Sequence, residues 1–298
     1  MNEVAVKHAL LVGSYTYAGE YYDYFRSLPD DVSELGYLIC SQIIHRVTLK
    51  EGNTNANASL LYGDMNLFPW HRLRCEDDVF LTATAMAAEL FRLDNNGFTL
   101  NRKVEDKLVL TCRYVSVLMS AILKAKRIPC RCRSGFAPYF IPGKSVDHWV
   151  NQYFTDRWIT FDADGFFDTE KLEFYQYDMP YDKFDFAADI WLKVRAGSED
   201  GKKYINGGGD FALEAIALSL FSDFHALMNN EISYKFMPAF IAGKFERLTS
   251  SDLAEIDDLA NLMTAPDENF HALLGIWETC KKFRILNSLL VGDWDNQL

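Results

Sequence analysis

The chain has 298 residues, of which 49% are apolar, and a formal net charge of −12 at pH 7. This apolar content is ample for a packed core in one large or two modest domains. The acidic balance argues against a surface adapted to nucleic-acid phosphates or anionic membranes, because such surfaces need patches of Lys and Arg.

The N-terminus and the apolar runs bear on location. Glu3 stands where a secretory leader needs basic residues, and Lys7 and His8 interrupt the first apolar run, so this stretch does not look like a signal peptide. The longest apolar runs elsewhere are too short to span a membrane. We therefore expect a cytoplasmic protein that has no membrane segment and binds no nucleic acid.

The chain contains six scattered cysteines, too few for a disulfide scaffold at this length. Cys130 and Cys132 lie two apart on a predicted strand and share a face, but no second pair follows to complete a zinc site. We predict small core residues at these two positions, reduced thiols throughout, no metal ligand and no cofactor.

Two helices are predicted before the middle of the chain. Residues 1–30 show no clean period and are predicted to be a partly ordered leader. The pattern from Asp30 to Glu34 caps a helix that runs to Ile43. A second helix opens at Cys75 and runs to Phe91. Together they form a helical lead-in to the residues that carry chemistry.

A third helix begins at a cysteine. Residues 108–129 have apolar side chains at 115, 118, 119, 122 and 123, the spacing of a helix with one buried face, and Pro129 ends it. Thr111 is the predicted N-cap, which puts Cys112 in the first turn. Free backbone N–H groups and the positive end of the helix dipole stabilise a thiolate there. Cys112 is therefore the candidate nucleophile.

Strand patterns follow this helix. Residues 130–136 alternate by two, and the aromatic and β-branched runs 148–154 and 158–162 read as a hairpin with a three-residue loop. His148 begins the first strand of the hairpin and Asp162 ends the second, so both lie at the same end of it. A cysteine, a base and an orienting carboxylate can therefore converge.

At these residues the chain resembles the transglutaminase-like superfamily. The shared pattern is a cysteine that opens a helix, an Ile-Pro near its end, a His-Trp pair and an aromatic strand ending in Asp, matched here by Cys112, Ile128-Pro129, His148-Trp149 and Trp158–Asp162. The resemblance, which covers residues 75–165, implies an α+β, papain-like core in which the cysteine helix packs on an antiparallel sheet carrying the histidine and the aspartate. It also implies a Cys112, His148 and Asp162 triad.

The last third of the chain is predicted to be a mostly helical region. Residues 196–210 are the only long Gly-rich polar segment, which we interpret as the boundary between a catalytic core at 1–195 and a helical region at 211–298. Cap signals and apolar periods predict helices at 211–228, 232–245, 251–263 and 267–290.

The predicted chemistry is acyl transfer through a thioester. Cys112 attacks an amide carbonyl of a protein or peptide, His148 moves the proton and Asp162 orients His148, with no metal required. The residues themselves do not separate hydrolysis from crosslinking, and the resemblance to bacterial and archaeal proteases and amidases places hydrolysis first. Two other hypotheses stay open: a binding or assembly protein that keeps the fold, and a regulatory protein whose Cys112 senses oxidation.

Two details of the predicted site depend on local geometry. Asp162 and Asp164 share a strand face; a loop at 154–156 puts His148 opposite Asp162, whereas a loop at 155–157 puts it opposite Asp164. We favour Asp162, because the aspartate of the family ends the Trp-x-x-x-Asp run. We also expect the backbone N–H of Cys112 to be free and to stabilise the oxyanion of the reaction intermediate.

Overall fold

The computed structural model describes residues 2–46, 68–69, 71–72, 76–164, 172–207 and 212–285. It has the predicted α+β class, with helices packed on an antiparallel sheet. The helices are α1 (Glu3–His8), α2 (Tyr22–Ser27), α3 (Val32–Cys40), α4 (Glu76–Val79), α5 (Ala83–Leu93), α6 (Cys112–Ala125), α7 (Ala187–Arg195), α8 (Ala212–Leu227), α9 (Ser250–Met263) and α10 (Phe270–Thr279). The strands are β1 (Ile43–His45), β2 (Leu108–Leu110), β3 (Cys130–Ile141), β4 (Lys144–Phe154), β5 (Trp158–Phe161), β6 (Asp185–Phe186) and β7 (Tyr204–Ile205). Within these residues, no helix combines the length and apolar character needed to cross a membrane.

The larger sheet supports the candidate site. Its strands follow the order β5-β4-β3-β6, and β7 adds to β4 in parallel. The hairpin of β3 and β4 places Gly135 opposite His148, and Gly143 turns the chain with a φ of +76°, where a side chain would be strained. The predicted hairpin of β4 and β5 is present, with Phe154 opposite Trp158.

The cysteine helix α6 runs through the first apolar core. It begins at Cys112, as predicted, after Thr111 in extended backbone, although the Thr111 side chain makes no capping hydrogen bond. All 14 residues of α6 are buried, whereas the periodicity predicted one buried face. The reason is that α6 packs on β3 and β4 on one side and on α2, α3 and α5 on the others.

A short parallel pair lies beside the start of α6. β1 and β2 are hydrogen-bonded with His45 opposite Leu110. Because β2 leads directly into α6, this pairing brings His45 next to Cys112 although 67 positions separate them in sequence.

A second apolar core lies between the C-terminal helices and the sheet. It contains buried residues of α7, α8, α9 and α10 together with Phe136 of β3. Arg133 of β3 and Asp223 of α8 join across this contact through two hydrogen bonds of 2.8 and 2.9 Å, and both side chains are buried. The helical region therefore packs firmly against the sheet, and the division at 196–210 stays a prediction.

Residues 1–30 differ from the prediction of a partly ordered leader. They contain α1 and α2, and Tyr15 and Phe25 are fully buried. The Tyr15 ring lies 4.7 Å from the guanidinium carbon of Arg113, which is also fully buried. Tyr15 lies in a turn and Phe25 in a helix of six residues, so no helical period marks them in the sequence.

Other helix boundaries also differ. The helix predicted from Cys75 to Phe91 is divided into α4 and α5 with a break before the N-cap Thr82, whose hydroxyl accepts from the N–H of Ala85; Cys75 itself lies outside the described residues. The last predicted helix ends at Thr279, and its predicted end at 290 lies outside the described residues.

The helix predicted at 232–245 is absent, and the chain runs through turns there. Pro238 has no backbone N–H and disfavours a helical residue before it. The carbonyls of Glu231 and Ile232 accept hydrogen bonds from the Arg113 guanidinium, so these backbone groups have partners without a helix. The segment 229–247 is thereby held against the start of α6.

Candidate active site

Cys112 is the first residue of α6, at the helix end where free N–H groups and the dipole favour an anion. Its side chain is nearly enclosed, with 5% of the residue exposed. Among the described cysteines, all five are free. The thiol that the sequence predicts as nucleophile is therefore available in reduced form at a position that stabilises the thiolate.

His148 lies between this thiol and Asp162. Its Nε2 is 2.7 Å from Oδ2 of Asp162, and both side chains are buried. The Cys112 side chain lies close enough to His148 to contribute to the raised pKa of that ring. Because Nε2 faces Asp162, Nδ1 is the ring nitrogen left for the thiol. The structure thus brings all three predicted site residues together, in the order thiol, imidazole, carboxylate.

Asp162 is held by more than the histidine. The Tyr139 hydroxyl donates to Oδ2 at 2.7 Å, and the backbone N–H of Asp164 donates to Oδ1 at 3.0 Å. Three donors on one fully buried carboxylate satisfy its oxygens and fix its direction. Tyr139 was not among the predicted site residues. It lies on β3 beyond Ala137, where the pairing with β4 becomes irregular, so no sequence spacing reveals this contact.

The protonation of His148 follows from these partners. Burial by itself lowers the pKa of an imidazole, but the charges of Asp162 and Cys112 and the hydrogen bonds to both raise the pKa of His148 well above its ordinary value. The arrangement therefore favours an imidazolium at His148, beside the Cys112 side chain and the Asp162 carboxylate.

The strand register explains which aspartate reaches His148. The loop between β4 and β5 is Thr155-Asp156-Arg157, because Phe154 pairs with Trp158, so the alternative loop at 154–156 is wrong. A continued ladder would put Asp164 opposite His148. The pairing ends at Phe161, however, and the N–H of Asp162 donates to the carbonyl of Gln176 at 2.9 Å. The chain leaves the ladder at this point, and Asp162 contacts His148.

Asp164 meets a second histidine, which the sequence analysis did not single out. Nε2 of His45 accepts a 3.1 Å hydrogen bond from the backbone N–H of Cys112 and lies 3.2 Å from Oδ2 of Asp164. Burial and the nearby charge of His148 lower the pKa of His45 to about 3. His45 is therefore neutral near pH 7, and its contact with Asp164 is not an ion pair.

This second histidine corrects one prediction. The N–H of Cys112 was expected to be free for an oxyanion, but it donates to His45. No local signal could have shown this, because His45 arrives through the parallel pairing of β1 and β2. The nitrogen of His45, the sulfur of Cys112 and a carboxylate oxygen of Asp164 lie within 4.8 Å of one another, which makes them the set that could hold a metal ion.

Tyr234 also contacts the thiol. Its hydroxyl is 3.4 Å from Sγ of Cys112, while the residue as a whole is 42% exposed. The segment that carries it is anchored by Arg113 and by Lys124, whose ammonium donates to Asn229 at 2.8 Å. Tyr234 lies in the region predicted as a helix, so its place at the site was missed.

Comparisons with known proteins add little to this geometry. No protein-family model and no curated protein matches the sequence. Among solved structures, a proposed cysteine protease from Cytophaga hutchinsonii is similar, with 15% identity and a TM-score of 0.34 over 61% of this chain and 45% of that chain. The chain thus spans less than half the length of this neighbour. At this identity and TM-score, the similarity identifies neither a family nor an activity.

Proposed function

We propose that this protein is a cysteine-dependent acyl-transfer enzyme that acts on amide bonds of a protein or peptide through a thioester. The observation that carries the proposal is the buried cluster of Cys112, His148 and Asp162, in which His148 hydrogen-bonds Asp162 at 2.7 Å and interacts with Cys112. Three residues distant in sequence and of complementary chemistry rarely converge in this order for packing alone, and perturbed protonation of the central group is typical of catalytic sites.

The geometry suits the following steps. The Cys112 sulfur attacks the amide carbonyl carbon, and His148 holds the proton that the thiol gave up. His148 then protonates the leaving amine as the carbon–nitrogen bond breaks, and water releases the acyl group from sulfur. Asp162 holds Nε2–H of His148 at 2.7 Å throughout, which fixes the ring and stabilises the imidazolium.

Hydrolysis is proposed ahead of crosslinking. The attack on the amide is the same in both reactions, and they differ in whether water or a substrate amine reaches the thioester. The transglutaminase-like resemblance at Cys112, His148-Trp149 and Trp158–Asp162 supports the peptidase or amidase reading. A cytoplasmic location belongs to the same proposal, supported by the free thiols of the described cysteines.

The test uses a peptide acyloxymethyl ketone, which labels activated cysteines, followed by mass spectrometry. We expect Cys112 to be labelled in the wild-type chain and no labelled site to remain in Cys112→Ala. Incubation with a peptide mixture and a primary amine then separates cleaved products from amine-linked ones. A folded wild-type chain that neither labels at Cys112 nor changes any peptide contradicts the proposal.

A non-catalytic binding protein is the second candidate. The observation in its favour is Tyr234, whose hydroxyl lies 3.4 Å from the thiol and partly covers it. A chain that stays unlabelled both as wild type and as Tyr234→Ala supports this second function, since removal of the tyrosine opens the thiol to the probe.

A further inference from the structure

The group of His45, Cys112 and Asp164 has the dimensions of a metal site. Its three candidate ligand atoms lie within 4.8 Å of one another, and His45 Nε2 is already 3.2 Å from Asp164 Oδ2. A tetrahedral zinc ion with bonds of about 2.0–2.3 Å separates its ligand atoms by roughly 3.3–3.8 Å. The sulfur therefore needs to approach the other two ligand atoms by no more than about 1.5 Å.

The donor set also selects the metal. One imidazole nitrogen, one thiolate sulfur and one carboxylate oxygen are the ligand types of zinc sites, whereas Ca²⁺ and Mg²⁺ take oxygen ligands. All three residues are buried, with 6%, 5% and 3% exposed. They are not a solvated acidic cluster on the surface, and three protein ligands leave the fourth zinc position for water.

Separate elements of the fold hold the three residues in place. His45 ends β1 and is fixed by the pairing with β2, and Cys112 is the first residue of α6. Asp164 follows Asp162, whose Oδ1 accepts from the Asp164 N–H. Metal binding exchanges the hydrogen bond between Cys112 N–H and His45 Nε2 for a zinc–nitrogen bond.

We propose that His45, Cys112 and Asp164 form an inhibitory Zn²⁺ site that withdraws the Cys112 sulfur from His148. In this step a zinc–sulfur bond forms, the proton that the thiol gave up to His148 passes to solvent, and nothing is oxidised or reduced. The inhibition of catalysis by the ion rests on the proposed function of Cys112, whereas the binding of the ion does not depend on that function. The matched contrast is between two histidines beside one cysteine: His45 binds zinc and His148 serves the chemistry.

The first measurement is a Zn²⁺ titration of the metal-stripped chain against a chromophoric chelator. We expect one ion per chain, and an affinity lowered by about 100-fold or more in His45→Gln and in Asp164→Asn, since even groups behind a metal ligand are worth about 10- to 100-fold. His148→Gln is the control, because it removes the other imidazole beside the thiol and should keep zinc affinity close to that of the wild type. Circular dichroism checks that each variant is folded.

The second measurement needs neither a variant nor a substrate. Iodoacetamide alkylation of Cys112 in the wild-type chain is followed by mass spectrometry with and without one equivalent of Zn²⁺, and we expect the ion to slow it at least tenfold. Absence of protection overturns the proposal, as does zinc affinity that is lost in His148→Gln and kept in His45→Gln. A third outcome separates the two proposals. If protection of Cys112 by Zn²⁺ depends on His45 but Cys112 never reacts with the peptide ketone, the metal site is supported and the proposed enzyme function is contradicted.

Discussion

Two histidine–aspartate pairs, His148 with Asp162 and His45 with Asp164, lie beside Cys112, and their histidines differ in pKa. On one side, His148 contacts Asp162 at 2.7 Å, and its pKa is raised well above the ordinary value because two anionic partners outweigh the cost of burial. On the other side, His45 lies 3.2 Å from Asp164, and its pKa is lowered to about 3. Identical side chains at similar burial thus have opposite protonation at neutral pH.

The difference comes from what else each ring touches. His148 hydrogen-bonds Asp162 and lies beside Cys112, and both raise its pKa, so a cation is stabilised there. His45 Nε2 is used as an acceptor by the N–H of Cys112, and the positive charge of His148 opposes a second cation nearby. A histidine beside an aspartate is therefore not sufficient evidence of acid–base chemistry, because the second partner of the ring determines whether the ring is protonated.

The largest expected effect comes from replacing His148. His148→Gln keeps a hydrogen-bonding side chain of similar length but cannot carry the thiol proton, so acylation of Cys112 by the peptide ketone should slow by about 100- to 10,000-fold. The measurement is the second-order rate of labelling, with the fold checked by circular dichroism. A rate within about tenfold of wild type contradicts the assignment of His148 as base.

The next effect compares the two aspartates. Asp162→Asn removes the charge that stabilises the His148 imidazolium, which is worth about 1.5–3 kcal/mol for a hydrogen bond to a charged group, or roughly 10- to 150-fold in the labelling rate. Asp164→Asn is the matched change on the other side and should reduce the rate less, because its histidine is neutral. A greater loss in Asp164→Asn than in Asp162→Asn shows that the wrong aspartate was assigned.

A third effect concerns acid stability. The folded pKa of His45, about 3, is below its ordinary value of 6.5, so the unfolded chain takes up a proton as the pH falls below 6.5 while the folded chain does not. The stabilisation is therefore fully present above pH 6.5 and is lost progressively down to about pH 3. At pH 5 the loss from this one group is about 2 kcal/mol.

Urea unfolding at pH 7 and pH 5 measures this loss. We expect the decrease in unfolding free energy to be smaller by about 2 kcal/mol in His45→Gln than in the wild type. His8 and His225, whose pKa values are also lowered to about 4 by burial, contribute equally to both proteins and so cancel. An equal decrease in the two proteins argues that His45 is protonated in the fold, like His148.

The smallest expected effect concerns Tyr234, the third side chain beside the Cys112 sulfur. Tyr234→Ala removes the hydroxyl 3.4 Å from Sγ and part of its cover, so iodoacetamide should alkylate Cys112 faster by roughly fivefold, the equivalent of about 1 kcal/mol for one hydrogen bond. Tyr234→Phe separates the hydroxyl from the ring. Cys280, which is half-buried and distant in sequence, serves as the internal reference. An unchanged ratio of Cys112 to Cys280 alkylation shows that Tyr234 does not cover the thiol.

The sequence by itself determined the local parts of this site. The apolar spacing after Thr111 and the stop at Pro129 define a helix that begins at Cys112, because helical period and proline geometry are local properties. The alternating strands define the hairpin that carries His148, whereas the choice between loops at 154–156 and 155–157 is decided only by the pairing of Phe154 with Trp158 in the structure. The α+β class follows from the same patterns, since each element shows its own period.

Tertiary structure decided the contacts that make the two sides different. Asp162 turns toward His148 because its N–H pairs with Gln176 outside the strand ladder. His45 reaches Cys112 only through the parallel pairing of β1 and β2, and Tyr234 reaches it only because Arg113 holds the carbonyls of the preceding residues. These contacts join segments distant in sequence, where pairing depends on the packed core and leaves no period for the sequence to display.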